Sequence, residues 1–199
     1  NNKADLFSDD SSDIPQLSKE IVRKYLKPLF EARSILKIGH NIKFDMRFMS
    51  QVLGEESVIF PYDDTAVMSY VLNSSTHGHG MDELAEIYLD YKTIHYEDVC
   101  GSGRDKITFD KVALDKALDY AAEDADITLR LYEVFKPLLI KNKMLDVYES
   151  FDRPLVAVLQ DMEKKGIMVN AQSLTQLKSE FERKIRFYEQ EIYSLAGEE

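Results

Sequence analysis

The stretch YAAEDADITLRLYEVF, Tyr120 to Phe135, decides how the chain is read. A helix advances about 100° per residue. With Tyr120 at zero, Asp124 falls at about 40°, Ile127 at about −20°, Leu131 at about 20° and Phe135 at about 60°. Asp124 therefore lies inside an apolar stripe, with Tyr120 one turn before it on the same face. Glu123 and Asp126 fall with Arg130 on the polar flank and read as ordinary surface charges. Burying a carboxylate is costly unless something pairs with it, so Asp124 is the acid that needs an explanation.

Upstream, the pattern repeats. SILKIGHN, Ser34 to Asn41, is a short apolar run closed by Gly39 and predicts a buried strand. A helix follows over Ile42 to Leu53, with Asn41 at its start as a cap. Within it, Asp45 shares a stripe with Phe48, Met49 and Val52, while Arg47 and Gln51 face away. Two aspartates thus fall in apolar, core-facing stripes of separate helices. One reading is a pair of metal-binding carboxylates converging on a cleft. Hard oxygen ligands suit magnesium or manganese, and two such ions are a standard arrangement for hydrolysing a phosphodiester. Tyr120 would then orient the attacking water or help deprotonate it. The other reading makes each aspartate a polar core residue, paired with an arginine or capping a helix.

The remaining segments set the frame. Residues 1–16 are polar, with SDDSSD at Ser8 to Asp13, and read as a loop or disordered arm. Residues 18–33 read as a helix capped by Ser18, with Ile21, Tyr25 and Leu26 on one face and Pro28 disturbing or restarting it. SVIFPYDDT, Ser57 to Thr65, reads as a second strand ended by Pro61 and Asp63. Helices are predicted over Thr65–Ser74 and Met81–Leu89, around the loop STHGHG. Residues 90–108 contain GSGRDK (Gly101–Lys106), expected to be mobile. A long helix spans Leu114–Ile140, and another runs through RPLVAVLQDMEKK to a stop at Gly166. IMVN (Ile167–Asn170) reads as a turn or edge strand. Ala171–Leu195 is a charged helix with Leu174, Leu177, Phe181, Ile185 and Ile192 on one side.

Composition narrows the function classes. The chain has 199 residues and a net charge of −11, enough length for one domain and an appendage. Such acidity argues against a broad basic face for nucleic acid. It leaves room for an enzyme that holds one strand end through metal ions. Cys100 stands alone, which excludes an internal disulfide framework and a cysteine-based zinc site, and a reducing cytosol is expected. No apolar run approaches a membrane span, and no secretory signal opens the chain. His77 and His79 have zinc-like spacing but no third ligand nearby. GSGRDK lacks the lysine-hydroxyl pattern of a phosphate loop. Asp161 and Glu163 point about 200° apart on a helix and cannot share a metal. The chain begins at Asn1 rather than methionine, so it is expected to be a piece of a longer or processed protein.

Three ordered segments, GHNIKFD (Gly39–Asp45), YAAEDADITLRLY (Tyr120–Tyr132) and RPLVAVLQDMEKKGIMV (Arg153–Val169), resemble bacterial DNA polymerase I, the family A DNA polymerases. The resemblance runs from Leu17 to Glu199. It implies the α/β, ribonuclease H-like 3′–5′ exonuclease fold, N-terminally incomplete here and so mainly helical with a small residual sheet. It divides the chain into a polar arm (1–16), an exonuclease domain lacking its first strands (17–150), and the junction and first, thumb-side helices of the polymerase domain (151–199). The implied activity is proofreading removal of the 3′-terminal nucleotide of DNA, with Mg2+ or Mn2+ as two catalytic ions, joined to DNA synthesis in the bacterial cytoplasm. Asp45, Tyr120 and Asp124 match the catalytic residues, Asp45 and Asp124 being metal ligands. Asn41 and Phe44 match positions that approach the terminal nucleotide of a single-stranded 3′ end. The family's D-x-E pair has no counterpart in residues 1–40, since Asp9, Asp10 and Asp13 lie in a polar stretch. The first strands are therefore expected upstream, and the isolated chain is expected to bind metal weakly and not to cut. Gly78 stands where relatives carry a basic residue. Rival expectations are a vestigial exonuclease domain that scaffolds the polymerase, an RNA-trimming exonuclease, and a helical interaction module. An unfinished sheet edge would favour self-association, and no membrane partner is expected.

Overall fold

Ser18 opens the first helix as the sequence implies: its hydroxyl accepts from the Ile21 amide at 3.3 Å and α1 runs over Lys19–Glu31. The structure, a computed structural model, describes residues 17–55, 57–103 and 106–197. The polar arm 1–16 and Arg104 and Asp105 of the GSGRDK cluster lie outside the described residues. Pro28 sits inside α1 without ending it. It lies on the exposed side, where water can meet the carbonyl that its missing N–H leaves unpaired.

The chain then turns into β1 (Lys37–Gly39), shorter than the apolar run suggested. Lys37 is buried, and its ammonium donates to the carbonyls of Ala32, Ile35 and Phe60, each at 2.8 Å. Three acceptors make this charge tolerable inside, although burial lowers its pKa. Gly39 ends the strand for a steric reason. A Cβ there would meet Ile42 Cγ1 at 2.7 Å, so a side chain would push away the start of α2 (Ile42–Leu53).

β2 (Tyr62–Asp64) pairs parallel with β1, in the register Lys37↔Tyr62, Ile38↔Asp63, Gly39↔Asp64. This corrects the strand expected over Ser57–Thr65. Pro61 precedes the strand rather than ending it, Val58 and Phe60 are exposed, and Asp63 and Asp64 are fully buried within it. Aspartates look like strand breakers in a sequence because their partners are invisible there. Asp63 accepts from the Tyr148 hydroxyl at 2.9 Å and Arg153 at 3.2 Å, with Lys136 at 3.4 Å. Asp64 caps two helices at once. Its Oδ1 accepts from the amides of Asn41 at 3.0 Å and Ala66 at 3.0 Å, and its Oδ2 from Ile42 at 2.9 Å.

Around this pair of strands pack α3 (Thr65–Leu72), α4 (Met81–Leu89), α5 (Tyr96–Cys100) and the long α6 (Leu114–Lys141). α5 lies just before the GSGRDK cluster, in residues for which the sequence predicts no element. α3, α4 and α6 bury Met68, Leu84, Ala85, Ile127, Leu131, Phe135 and Leu139, together with Tyr148. Tyr148 begins a π-helical turn (Tyr148–Asp152) that joins the short α7 (Leu145–Val147) to α8 (Arg153–Lys165). A second cluster, Ile42, Met46, Tyr62 and Val156, joins α2, β2 and α8. The fold is thus mainly helical with a small parallel sheet. The described residues up to Lys164 form one compact unit and those from Lys165 a second. In the second, Gly166 adopts φ +67°, Ile167–Asn170 form no strand, and Asn170 caps α9 (Ala171–Ala196). α9 buries none of its residues.

Removing the double cap should be costly. Asp64→Ala strips two helix N-termini of a buried acceptor and is expected to lose about 2–4 kcal/mol of stability. Urea unfolding followed by circular dichroism measures this; a loss below about 1 kcal/mol would contradict the shared cap.

Candidate active site

Asp45 and Asp124 face one cavity of about 550 Å3, walled by Leu36, Ile38, Gly39 and His40 from the β1 region, Met81, and Ala121, Ala125, Thr128 and Leu129 of α6. The structure therefore brings together the two aspartates that helical spacing singled out. Tyr120 lies one turn before Asp124. Its ring packs with Tyr96 of α5 at 6.2 Å and Phe109 at 5.7 Å, so residues on either side of the GSGRDK cluster supply the aromatic wall behind it.

Asp45 is placed by the start of α2. Asn41 occupies the cap position, in the left-handed conformation at φ 58°, but its side chain makes no capping bond. Asp64 does that work, which corrects the role expected of Asn41. α2 buries Ile42, Met46 and Leu53. Asp45 is exposed and lies with Phe48, 52% exposed, on another flank. The stripe containing Asp45 is thus not the core-facing one, because α2 carries two apolar stripes and periodicity cannot say which meets the core. The surrounding protein still raises the Asp45 pKa, chiefly by desolvation and then by the negative charge of Asp64. Phe44 is 58% exposed beside it.

On α6 the stripe does face inward. Ile127, Leu131 and Phe135 are fully buried and Asp124 sits half-buried at the cleft end. Its pKa is pushed up to about 6 by burial first, then by Asp82, Glu123 and Asp45, while the Tyr120 hydroxyl donates to the ionised form and works the other way. Tyr120 is pushed up to about 12, by burial first and then by Asp124 and Asp82.

Two acids do more than the sequence suggested. Glu123 is not a free surface charge. It accepts from the Tyr91 hydroxyl at 2.7 Å and the Ile94 amide at 2.6 Å, fixing the approach to α5. Asp82 reads only as a first-turn acid of α4. It accepts from the Thr93 hydroxyl at 2.7 Å, pairs with His95 at 3.1 Å, and adds negative charge beside Asp124. No local pattern announces either role, since the partners Tyr91, Thr93, Ile94 and His95 lie 11 or more residues away along the chain. Asp126 pairs with Arg130 at 3.6 Å on the surface, as expected. The two loop histidines tie the loop to its flanking helices: His79 bonds Ser69 of α3 at 2.9 Å and His77 meets the Tyr88 hydroxyl of α4 at 3.2 Å.

A family model described as 3′–5′ exonuclease, that of the family A DNA polymerases, matches residues 7–140. The chain belongs to this family. DNA polymerase I of Rhizobium leguminosarum is 47% identical over 173 residues, 87% of this chain, and that of Pseudomonas aeruginosa is 37% identical over 185 residues, 92% of it. The chain spans 17% and 20% of the length of these relatives. Among solved structures, Brucella melitensis NrnC superposes with a TM-score of 0.59 at 23% identity, covering 71% of this chain and 64% of its own. The same protein with bound Mg2+ gives 0.58. That likeness concerns the fold, and the exonuclease-family chain has the ribonuclease H-like architecture with a two-stranded sheet among its described residues.

The donor set fits a hard divalent cation in kind: two carboxylates on one cavity, both shifted toward the protonated form, chiefly by burial and then by neighbouring carboxylates. Among the described residues, no group of three or more His, Cys, Asp or Glu side chains is arranged to hold an ion.

A pH signature follows for the metal-free exonuclease chain. Folding keeps the Asp124 proton up to about pH 6, whereas an unfolded carboxyl releases it near 3.8. Ionisation therefore opposes the fold: the penalty is absent below about pH 4, grows toward pH 6 and is complete above it. Asp124→Asn should match wild type at about pH 4 and exceed it at about pH 7.5, by on the order of 1 kcal/mol once solvent screening is allowed for. Urea midpoints at the two pH values, in chelator, check this; a variant weaker than wild type at the higher pH would refute the strain.

Proposed function

We propose that this chain is the 3′–5′ exonuclease region of a DNA polymerase I, and that its site removes the 3′-terminal nucleotide of DNA. The observation that carries the reading is the meeting of Asp45 and Asp124 on one cavity, from helices far apart in sequence, with Tyr120 one turn away. Asp45 and Asp124 would hold Mg2+ or Mn2+, and Asn41 and Phe44 would meet the terminal nucleotide. Bound divalent ions would supply Lewis-acid polarisation of the scissile phosphate and a more acidic water. Tyr120, with its pKa near 12, stays protonated at neutral pH. It therefore orients water through its hydroxyl rather than taking a proton as the phenolate. Water oxygen adds to phosphorus, the bond to the 3′ oxygen of the preceding nucleotide breaks, and a nucleoside 5′-monophosphate leaves. A mispaired end would be favoured because it costs less to unpair.

The reading assigns residues 17–150 to the exonuclease domain and 151–199 to the junction with a polymerase domain. It assigns the D-x-E pair to sequence outside the described residues, and proofreading of DNA synthesis in the bacterial cytoplasm to the whole protein. Among the described residues no helix is long and apolar enough to cross a membrane. A second reading has its own support. Two carboxylates without a third ligand among the described residues also suit a vestigial domain that only scaffolds a polymerase.

Calorimetric titration of Mn2+, beside digestion of a 3′-mismatched primer, separates the two when run on this chain and on a version extended N-terminally by about 80 residues. The exonuclease reading expects the longer chain to bind two ions and to cut, and Asp124→Ala to abolish cutting. A longer chain that neither binds nor cuts would establish the scaffold.

A further inference from the structure

Residues 90–95 form no helix or strand, yet four side-chain bonds hold them in place. From α6, Glu123 accepts from the Tyr91 hydroxyl with Oε1 and from the Ile94 amide with Oε2. From α4, Asp82 accepts from the Thr93 hydroxyl with Oδ1 and meets His95 Nδ1 with Oδ2. Arg130 of α6 adds a further hold, its guanidinium 5.2 Å from the centre of the Tyr91 ring. A carboxylate suits the place that Glu123 occupies, because it presents two acceptors and the two donors take one each. Directly after this stretch comes the wall behind Tyr120. His95 caps α5, and Tyr96 is the first residue of that helix. The Ile107 amide donates to the Cys100 carbonyl at 2.9 Å, which turns the chain back and lets Phe109 stack on Tyr96 with ring centres 6.4 Å apart. Both rings then pack on Tyr120, whose hydroxyl donates to Asp124. A tyrosine hydroxyl lies at the end of two soft torsions, so its position depends on what locks the ring.

We propose that Glu123 is a positioning residue of the exonuclease site: by tying residues 91–94 to α6 it seats Tyr96 and Phe109 against the Tyr120 ring, and so holds the Tyr120 hydroxyl where it meets water. The inference rests on the exonuclease reading and adds to it a residue that is not among those walling the carboxylate cavity. Glu123 acts through two bonds to a segment about thirty residues upstream and through two aromatic contacts, not through substrate or metal. Its neighbour Asp126 shares its charge and its helix but pairs with Arg130 at the surface, so acidity alone does not give the role.

Two measurements test it. In this chain, in chelator, aromatic nuclear Overhauser spectra read the ring contacts. Glu123→Ala should lose the cross-peaks from Tyr120 to Tyr96 and Phe109, while far-UV circular dichroism shows the helices intact. Glu123→Gln should keep them, because its amide oxygen accepts from the Ile94 N–H and its NH2 donates to the Tyr91 hydroxyl. In the N-terminally extended chain with Mn2+, digestion of a 3′-mismatched primer reads the consequence. Glu123→Ala should lower kcat by about 10- to 100-fold with KM unchanged, and Glu123→Gln should restore it. In a Tyr120→Phe background Glu123→Ala should cost nothing further, since no hydroxyl is left to place. Should Glu123→Ala fail to fold, Tyr91→Phe removes one of the two bonds and should weaken the same cross-peaks and lower kcat in part. Cross-peaks and kcat that survive the loss of these bonds overturn the proposal and leave the exonuclease reading standing. An equal fall in kcat with and without the Tyr120 hydroxyl overturns it too, because Glu123 would then support the fold at large. A Glu123→Gln variant as impaired as Glu123→Ala would assign the effect to charge beside Asp124, against the proposal. If the extended wild-type chain cuts nothing, the exonuclease reading fails and takes the inference with it.

Discussion

The Asp64 carboxylate is the point on which the rest of the structure hangs. It is buried at the end of β2 and takes amide hydrogens from the first residues of both α2 and α3. A buried ion is expensive, and this one is compensated by several N–H donors and by the positive ends of two helices. The consequence is geometric. α2 must leave β1 at the tight angle that Gly39 permits, and Asn41 must adopt the left-handed turn that brings its amide to Asp64. One turn later Asp45 is aimed at the cavity it shares with Asp124.

Asp63, the neighbouring residue on β2, solves the same problem with side chains. Arg153, Lys136 and the Tyr148 hydroxyl surround it. Strand alternation sends one aspartate toward the helix starts and the next toward the cations. Tyr148 links the two, because its hydroxyl donates to Asp63 and accepts from the Asp64 amide at 2.9 Å. Burial of that hydroxyl raises its pKa, so it remains a donor. The π-helical turn that begins at Tyr148 is what carries the chain past this knot into α8.

Against these satisfied acids, the cavity pair stands out. Asp45 and Asp124 are both shifted toward protonation, first by burial and then by neighbouring carboxylates. Natural folds keep such groups where function demands them and accept the loss of stability. Asp82 and Glu123 deepen the negative potential at Asp124 while remaining occupied with Thr93, His95, Tyr91 and Ile94. On the proposed function, that potential concentrates divalent cations at the cavity.

What the sequence determined alone was local. The limits of α2, α4 and α6, the Ser18 cap and the inward stripe of Tyr120, Asp124, Ile127 and Leu131 all follow from helical periodicity and capping chemistry. These depend on residues a few positions apart, as do the family's short motifs. What only the tertiary structure decided was which groups find partners. The burial of Asp63 and Asp64, the capping of α2 by Asp64 instead of Asn41, the anchoring role of Glu123 and the exposure of the Phe48 flank each depend on atoms brought from distant segments. A carboxylate costs or contributes according to what surrounds it, and spacing along a chain does not carry that information until the chain has folded.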